Sequence, residues 1–314
     1  MSNDWSGRRI LVTGGEGFLG SHLVPKLAER GAEPTVVRRR EHDLRRAEDC
    51  RTLLESTQPD VVVHLAAAVG GIGANRKQPG TFFRDNALMG IHLIEACREA
   101  EVAKVVVVGT VCAYPSHPPL PFSESDLWNG HPEPTNAPYG IAKRALLTML
   151  AAYRDEFGLA SAYLLPANLY GPRDDFDLET SHVIPALIRK MVEAREAGRD
   201  EVVLWGDGSP SREFLHVSDC AEGLCLAIEK LDEPTPVNLG TGVEITIREL
   251  AGLIAELTGY EGTITWDIDQ PGGQDRRCLD VSRARELLGF ESRVTLADGL
   301  RETIAWFEKE GRTG

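Results

Sequence analysis

RILVTGGEGFLG, residues 9 to 20, decides the fold. Its first five residues are a short β-branched run of the kind that forms a buried strand. Glycines then fall at 14, 17 and 20, and Phe18 to Arg30 carries a helical periodicity that stops at Gly31. Glycines between a strand and a helix let the backbone turn tightly and approach a pyrophosphate. The helix N-terminus adds free N–H groups and the positive end of its dipole. A glycine triplet alone is weak, because glycines punctuate many turns. Its place between strand and helix predicts a dinucleotide loop in which Gly14, Gly17, Phe18, Leu19 and Gly20 bind the cofactor.

The alternation continues outward from this loop. Pro34 to Val37, Asp60 to Leu65, Val105 to Val108 and Ser161 to Leu165 read as strands. Arg51 to Ser56, Asn86 to Glu101 and Ala137 to Phe157 read as helices, the last starting beyond Pro138. Such a rhythm predicts an α/β fold, a Rossmann-type doubly wound parallel sheet covered on both faces. After Gly171 prolines, short helices and isolated strands take over, as in Val202 to Trp205 and Thr263 to Trp266. They predict a smaller C-terminal substrate-binding α/β domain built from 172–213 and 241–314. The Rossmann domain then takes 1–171 and a returning segment near 214–240, where Pro236 to Leu239 reads as a strand that rejoins the sheet. Ligands of such folds sit at the carboxyl ends of the strands, here between the two domains.

Composition narrows the function classes. The chain has 314 residues, enough for a sizeable core, and a formal net charge of −14, which disfavours nucleic acid as a partner. Local loops can still bind a phosphorylated ligand. Cysteines fall at 50, 97, 112, 220, 225 and 278, with no C-x-x-C and no histidine at zinc-ligand spacing, so no metal is expected. Reduced thiols fit a cytoplasmic enzyme. MSNDWSGRR (Met1 to Arg9) runs straight into a strand, which predicts no secretory segment. No apolar run nears the ~18 residues that span a bilayer, so no membrane partner is expected.

Three further groups carry chemistry. The second strand ends in VVRRR (Val36 to Arg40), where an acidic side chain would bind the ribose 2′-hydroxyl of NAD. Guanidinium groups suit a 2′-phosphate, which predicts NADP(H) with Arg38 as the contact; a solvated basic turn is the alternative. Tyr139 and Lys143, spaced i and i+4, share one helix face. Lysine's charge is expected to lower the phenol's pKa, and the amine to reach the nicotinamide ribose. Thr110, at a strand's carboxyl end, offers a hydroxyl to a substrate oxygen. Y-x-x-x-K is common by chance, but with the phosphate loop and Thr110 in this order it is specific. The last group is Cys112, in VVVVGTVCAYP (105–115), and His182, in TSHVIPA (180–186). Alone they read as a small buried hydrophobe and a helix-capping histidine.

Longer stretches join these groups. They are HLAAAVGGI (His64 to Ile72), VCAYP (Val111 to Pro115), EPTNAPYGIAK (Glu133 to Lys143), NLYGP (Asn168 to Pro172), SHVIPAL (Ser181 to Leu187) and REFLHVSD (Arg212 to Asp219). On them the chain resembles the extended short-chain dehydrogenase/reductase family, in its nucleotide-sugar epimerase/dehydratase group, from about residue 8 to about 290. VGGI and SHVIP resemble most the branch that inverts C3 and C5 and reduces C4 of a GDP-4-keto-6-deoxy sugar. The resemblance implies Cys112 as base and His182 as acid in epimerisation. It implies hydride delivery from NADPH to C4, with Tyr139 protonating the alkoxide and Thr110 and Tyr139 steadying the enolate oxygen. Leu65, Ala66, Ala67, Pro166, Asn168 and Leu169 would complete the cofactor site beside Tyr139 and Lys143. Asn168, His182, Val183, Trp205, Arg212 and Arg277 would grip the substrate, the two arginines neutralising its diphosphate; surface salt bridges are their alternative. His64 would orient the loop under the cofactor. The chain departs from the family at Thr110 and Val111, where two serines are usual, and at Arg277, where lysine is common. A homodimer is implied, with helices 86–101 and 140–157 pairing with their mates. A plain C4 reductase or C4 epimerase of the same fold is the nearest alternative. A non-catalytic NADP(H)-binding sensor is disfavoured by the retained Tyr139 and Lys143, and no G-x-S-x-G elbow supports a hydrolase.

Overall fold

The computed structural model describes residues 5–70, 77–269 and 274–311. Strands and helices alternate through the first half as β1 (Arg9–Thr13), α1 (Phe18–Glu29), β2 (Glu33–Val37), α2 (Ala47–Thr57), β3 (Val61–His64), α3 (Pro79–Glu99), β4 (Lys104–Val108), α4 (Ala137–Phe157) and β5 (Ala160–Pro166). Then come β6 (Asn168–Tyr170), α5 (Val183–Glu196), β7 (Glu201–Trp205), β8 (Ser211–His216), α6 (Val217–Lys230) and β9 (Pro236–Leu239). The chain finishes with β10 (Glu244–Thr246), α7 (Ile247–Thr258), β11 (Thr263–Asp267), α8 (Ser282–Leu288) and α9 (Leu296–Lys309).

The main sheet has six parallel strands in the order β2-β1-β3-β4-β5-β9. Val61 to Val63 and Val105 to Val107 are buried, as expected for strands covered on both faces. The strand order reverses around β1, with β2 on one side and β3 on the other. The crevice at their carboxyl ends is therefore where a ligand of this fold binds. β9 returns to pair with β5, as the sequence predicts. α2 and α3 begin earlier than their apolar periodicity suggests. Glu48 and Asp49 favour the first turn of α2 through its dipole, and Pro79 suits the first turn of α3.

A second core lies beyond β5. It joins Ile184, Leu187, Ile188 and Met191 of α5 to Leu250 and Ile254 of α7 and to Leu300 and Phe307 of α9. β10, β8 and β6 form one small sheet over it, and β11 and β7 another. The reading of the sequence places all of 241–314 with this unit. Leu279, Val281, Ala284, Leu288 and Phe290 pack instead into the first core, because α8 lies against α6 and β9. Among the described residues no helix is long and apolar enough to cross a membrane.

Candidate active site

The cofactor end of the crevice is built around Gly14. Its φ of +71° belongs to the left-handed region, and a Cβ there would stand 2.8 Å from the Ala66 nitrogen. Gly17 is the N-cap of α1 and donates its N–H to the Gly14 carbonyl at 3.0 Å. No side chain caps α1 and its first turn holds no acidic residue. Its N–H groups are thus left to an anion, and a side-chain-free cradle lies beside them. Phe18 and Leu19 are half-buried in that first turn and Gly20 is buried beneath it. These features fit a dinucleotide pyrophosphate.

Two buried side chains fix the opposite wall. His64 Nδ1 lies 2.9 Å from Thr13 Oγ1, and that oxygen accepts the Ala66 N–H at 3.2 Å. Asn86 Oδ1 accepts the Ala68 N–H at 3.0 Å and its Nδ2 donates to the Ala68 carbonyl at 2.8 Å. Leu65, Ala66 and Ala67 are thereby held against the glycine loop. The sequence reading names Asn86 only as the start of a helix and not as a site residue; its only signal was a polar side chain on a helix face that otherwise reads as buried. Gly71 and Ile72 of HLAAAVGGI lie outside the described residues.

Burial, with Lys143 adding to it, draws the His64 pKa down to about 3, so the ring is neutral in the folded protein. The folded value lies below the ordinary one near 6.5. Stability from this group is therefore complete above pH 6.5 and lost as the pH falls toward 3, by a few kcal/mol. Urea unfolding at pH 8, 6 and 5 is expected to show this loss in the wild type and a flatter profile in His64→Leu.

Arg38, Arg39 and Arg40 line an open pocket beyond the loop together with Glu16. Arg38 Nε donates to Glu16 Oε1 at 2.6 Å, which raises its pKa further. Both partners are exposed, and an exposed pair in water is weakly held. A 2′-phosphate arriving in this pocket can displace Glu16 and take the same guanidinium fork.

The chemical end gathers around the start of α4. A Cβ on Gly140 would stand 2.5 Å from the Cys112 carbonyl, so only glycine lets α4 come this close to the loop after β4. Thr110 caps a short 3₁₀ turn, Val111 to Ala113, and its Oγ1 accepts the Cys112 N–H at 3.1 Å. Lys143 is buried, its Nζ donates to the Val108 carbonyl at 2.9 Å, and it lies 5.9 Å from the Tyr139 ring centroid. Burial draws the Lys143 pKa down to about 8.

Tyr139 corrects one expectation. Burial pushes its phenol well above the ordinary value, Cys112 adds to the rise, and the Thr110 hydroxyl acts against it. Lys143 does not lower it, because its ammonium is turned to the Val108 carbonyl and is itself weakened by burial. A phenol that keeps its proton at neutral pH is the form a general acid requires.

Beside Cys112 lie two arginines from the smaller sheet and its flank. Arg277 Nη1 donates to Cys112 Sγ at 3.7 Å. Arg212 Nη1 donates to the Ser211 carbonyl at 2.7 Å. Burial first, and repulsion from Arg277 second, draw the Arg212 pKa down to about 10, while Cys112 and Asp275 pull it back up. Neither arginine has a carboxylate at ion-pair distance among the described residues. Two neighbouring guanidiniums without an ion-paired carboxylate have the donors and charge that suit a multiply charged anion.

Glu213, buried next to Arg212, holds this region together and is missing from the sequence reading. Oε1 accepts N–H groups from Thr241 at 2.5 Å and Gly242 at 2.8 Å, and Oε2 accepts from Leu279 at 2.6 Å. A carboxylate inside the apolar run EFLH was the available signal. Asn168, expected near substrate and cofactor, donates its Nδ2 to the Glu213 carbonyl at 2.9 Å. Pro166 is buried, and Leu169 packs against the first core.

The remaining residues stand apart from this group. His182 is the N-cap residue of α5, makes no side-chain cap, and has no ring hydrogen bond among the described residues. It is exposed, yet the protein around its ring draws its pKa down, with Asp175 acting against the shift. No interaction joins it to Cys112. Val183 follows it, half-buried against the second core. Trp205, at the end of β7, is 67% exposed.

Known proteins share this arrangement. The model of the NAD dependent epimerase/dehydratase family matches residues 10–240. GDP-L-fucose synthase 1 of Arabidopsis thaliana is 41% identical over 302 residues, 96% of this chain and 93% of that protein. GDP-L-fucose synthase of Escherichia coli (strain K12) is 38% identical over 312 residues, 96% of this chain and 97% of that protein. Among solved structures, a GDP-L-fucose synthetase from Naegleria fowleri bound to NADP superposes with a TM-score of 0.89 at 26% identity, covering 98% of this chain and 96% of that one. With the uncapped α1 cradle and the Tyr139–Lys143 pair already in place, these matches settle the assignment: the chain belongs to the NAD dependent epimerase/dehydratase family.

Proposed function

We propose that this protein is an NADPH-dependent epimerase–reductase that converts GDP-4-keto-6-deoxymannose to GDP-L-fucose. One observation carries the reading: Cys112 stands between the Thr110–Tyr139 pair and the neighbouring arginines 212 and 277. A nucleotide-sugar substrate needs those two features together, a diphosphate anchor and proton-transfer groups at the sugar. The relatives named above support the substrate.

The C4 ketone acidifies the hydrogens at C3 and C5. In this reading Cys112, as thiolate, takes a proton from each carbon, and the electron pair passes into an enolate. Thr110 and Tyr139 face the enolate oxygen, and stabilising it makes the carbon acid strong enough for a thiolate to deprotonate. His182 returns a proton to the opposite face. NADPH, when bound, supplies the hydride for C4. Gly14, Gly17 and the first turn of α1 hold its pyrophosphate, Arg38 its 2′-phosphate, and the Leu65–Ala67 wall and Lys143 the nicotinamide half. Tyr139 then gives its proton to O4. Arg212 and Arg277 hold the diphosphate, and Trp205 packs near the base. The enzyme is cytoplasmic and a homodimer. Phe83 and Ile91 of α3 and Phe157 of α4 are exposed apolar side chains on the paired helices, and they support that face as the interface.

Turnover of GDP-4-keto-6-deoxymannose with NADPH in heavy water tests this. The product is expected to carry deuterium at C3 and C5 and inverted configuration at both. Cys112→Ser is expected to slow inversion by about 10²–10³-fold while NADPH binding survives. Reduction at C4 with no deuterium at either carbon would leave a plain C4 reductase.

A further inference from the structure

We infer that Arg277, held in place by Gln274, is the counter-ion of the Cys112 thiolate and a positioning residue for proton transfer. Its catalytic meaning rests on the function proposed above; its geometry does not. A guanidinium only donates hydrogen bonds and stays protonated, so at the 3.7 Å contact between Arg277 Nη1 and Cys112 the sulfur is the acceptor. That contact is strongest when the sulfur is charged.

Two side chains and one backbone carbonyl close the arrangement. Arg277 Nε donates to Gln274 Oε1 at 2.7 Å, and Gln274 Nε2 donates to the Ser116 carbonyl at 2.6 Å. Ser116 lies on the loop that carries Cys112. The anchor that aims Arg277 therefore starts from the same segment as the thiol, and the two groups move together. The Arg277 backbone is fixed as well, its N–H donating to the Ser211 carbonyl at 3.3 Å. Arg212 lies in the same neighbourhood, where Cys112 and Asp275 both raise its pKa against burial and Arg277.

The charge balance of the reaction suits this placement. When Cys112 takes a proton from carbon, the negative charge leaves sulfur and appears on the enolate oxygen. The step keeps one negative charge in the site, on the sulfur beside Arg277 before it and on the enolate oxygen after it.

Alkylation of Cys112 by iodoacetamide at neutral pH, followed by peptide mass spectrometry, tests the inference without any substrate. Arg277→Met is expected to slow alkylation of Cys112 about tenfold, because the thiolate is the nucleophile. Arg277→Lys is expected to retain most of the wild-type rate, and Gln274→Met to fall between the two. Melting curves confirm that each variant is folded. With GDP-4-keto-6-deoxymannose in heavy water, Arg277→Met should lose C3 and C5 exchange while the KM for NADPH stays near wild type. Equal alkylation rates in wild type and Arg277→Met, or an equal loss in the Lys and Met variants, overturn the inference. If the wild type turns over no keto sugar while alkylation still depends on Arg277, the proposed function falls and the counter-ion stands.

Discussion

Tyr139→Phe lowers kcat for NADPH oxidation by about 10²–10⁴-fold and leaves the KM for NADPH within a few-fold of wild type. The substitution keeps the ring, so Gly140 and Lys143 stay where α4 places them. It removes only the hydroxyl that burial keeps protonated at neutral pH. Without that proton the alkoxide at C4 loses the acid placed beside it, and the Thr110 hydroxyl loses its neighbour. The effect should fall on reduction more than on inversion, so deuterium still enters C3 and C5 of unreduced sugar. The alkaline limb of the kcat profile should also persist in the variant. It belongs to Lys143, whose pKa is drawn down to about 8, so its charge disappears above that pH. Steady-state kinetics from pH 6 to 10 check both statements. A variant with near-wild-type kcat would show that the proton for O4 comes from elsewhere.

The phosphate loop and the first strands were legible because a parallel sheet is buried on both faces and demands apolar β-branched runs. Val61 to Val63 and Val105 to Val107 cannot be confused with a helix face. Spacing within one element was equally legible, which is why Tyr139 and Lys143 were read as a pair, whereas Cys112 entered only through the family resemblance. Contacts between distant segments were not. Ala284 and Leu288 mark a buried face of α8, but nothing in their spacing says which of two cores receives it. Asn86, Glu213 and Gln274 act on backbone groups far along the chain, so no local motif announces them. The nearness of Arg212 to Arg277 has the same origin. The expected lowering of the Tyr139 pKa failed for a different reason. Spacing shows that a lysine is near, whereas the sign of the shift depends on how much water the fold removes.

Glu213→Leu is expected to cost about 3–5 kcal/mol of stability, because a buried charge that satisfies several donors is removed and the donors remain. Leucine roughly fills the volume, so the loss comes from the N–H groups of Thr241, Gly242 and Leu279, which stay buried without an acceptor. For a protein of this size the melting temperature should fall by roughly 10 °C, read by calorimetry or circular dichroism. Glu213→Gln keeps one carbonyl oxygen and should lose less. A purely structural loss would weaken both ligands alike, and the geometry argues otherwise. Glu213 ties β8, which carries Arg212, to the segment after Arg277, and it makes no contact with the glycine loop or with α1. At a temperature where the Gln variant is folded, its KM for the nucleotide sugar should therefore rise more than its KM for NADPH. An equal rise in both would mean that Glu213 steadies the whole crevice and not the arginine pair alone.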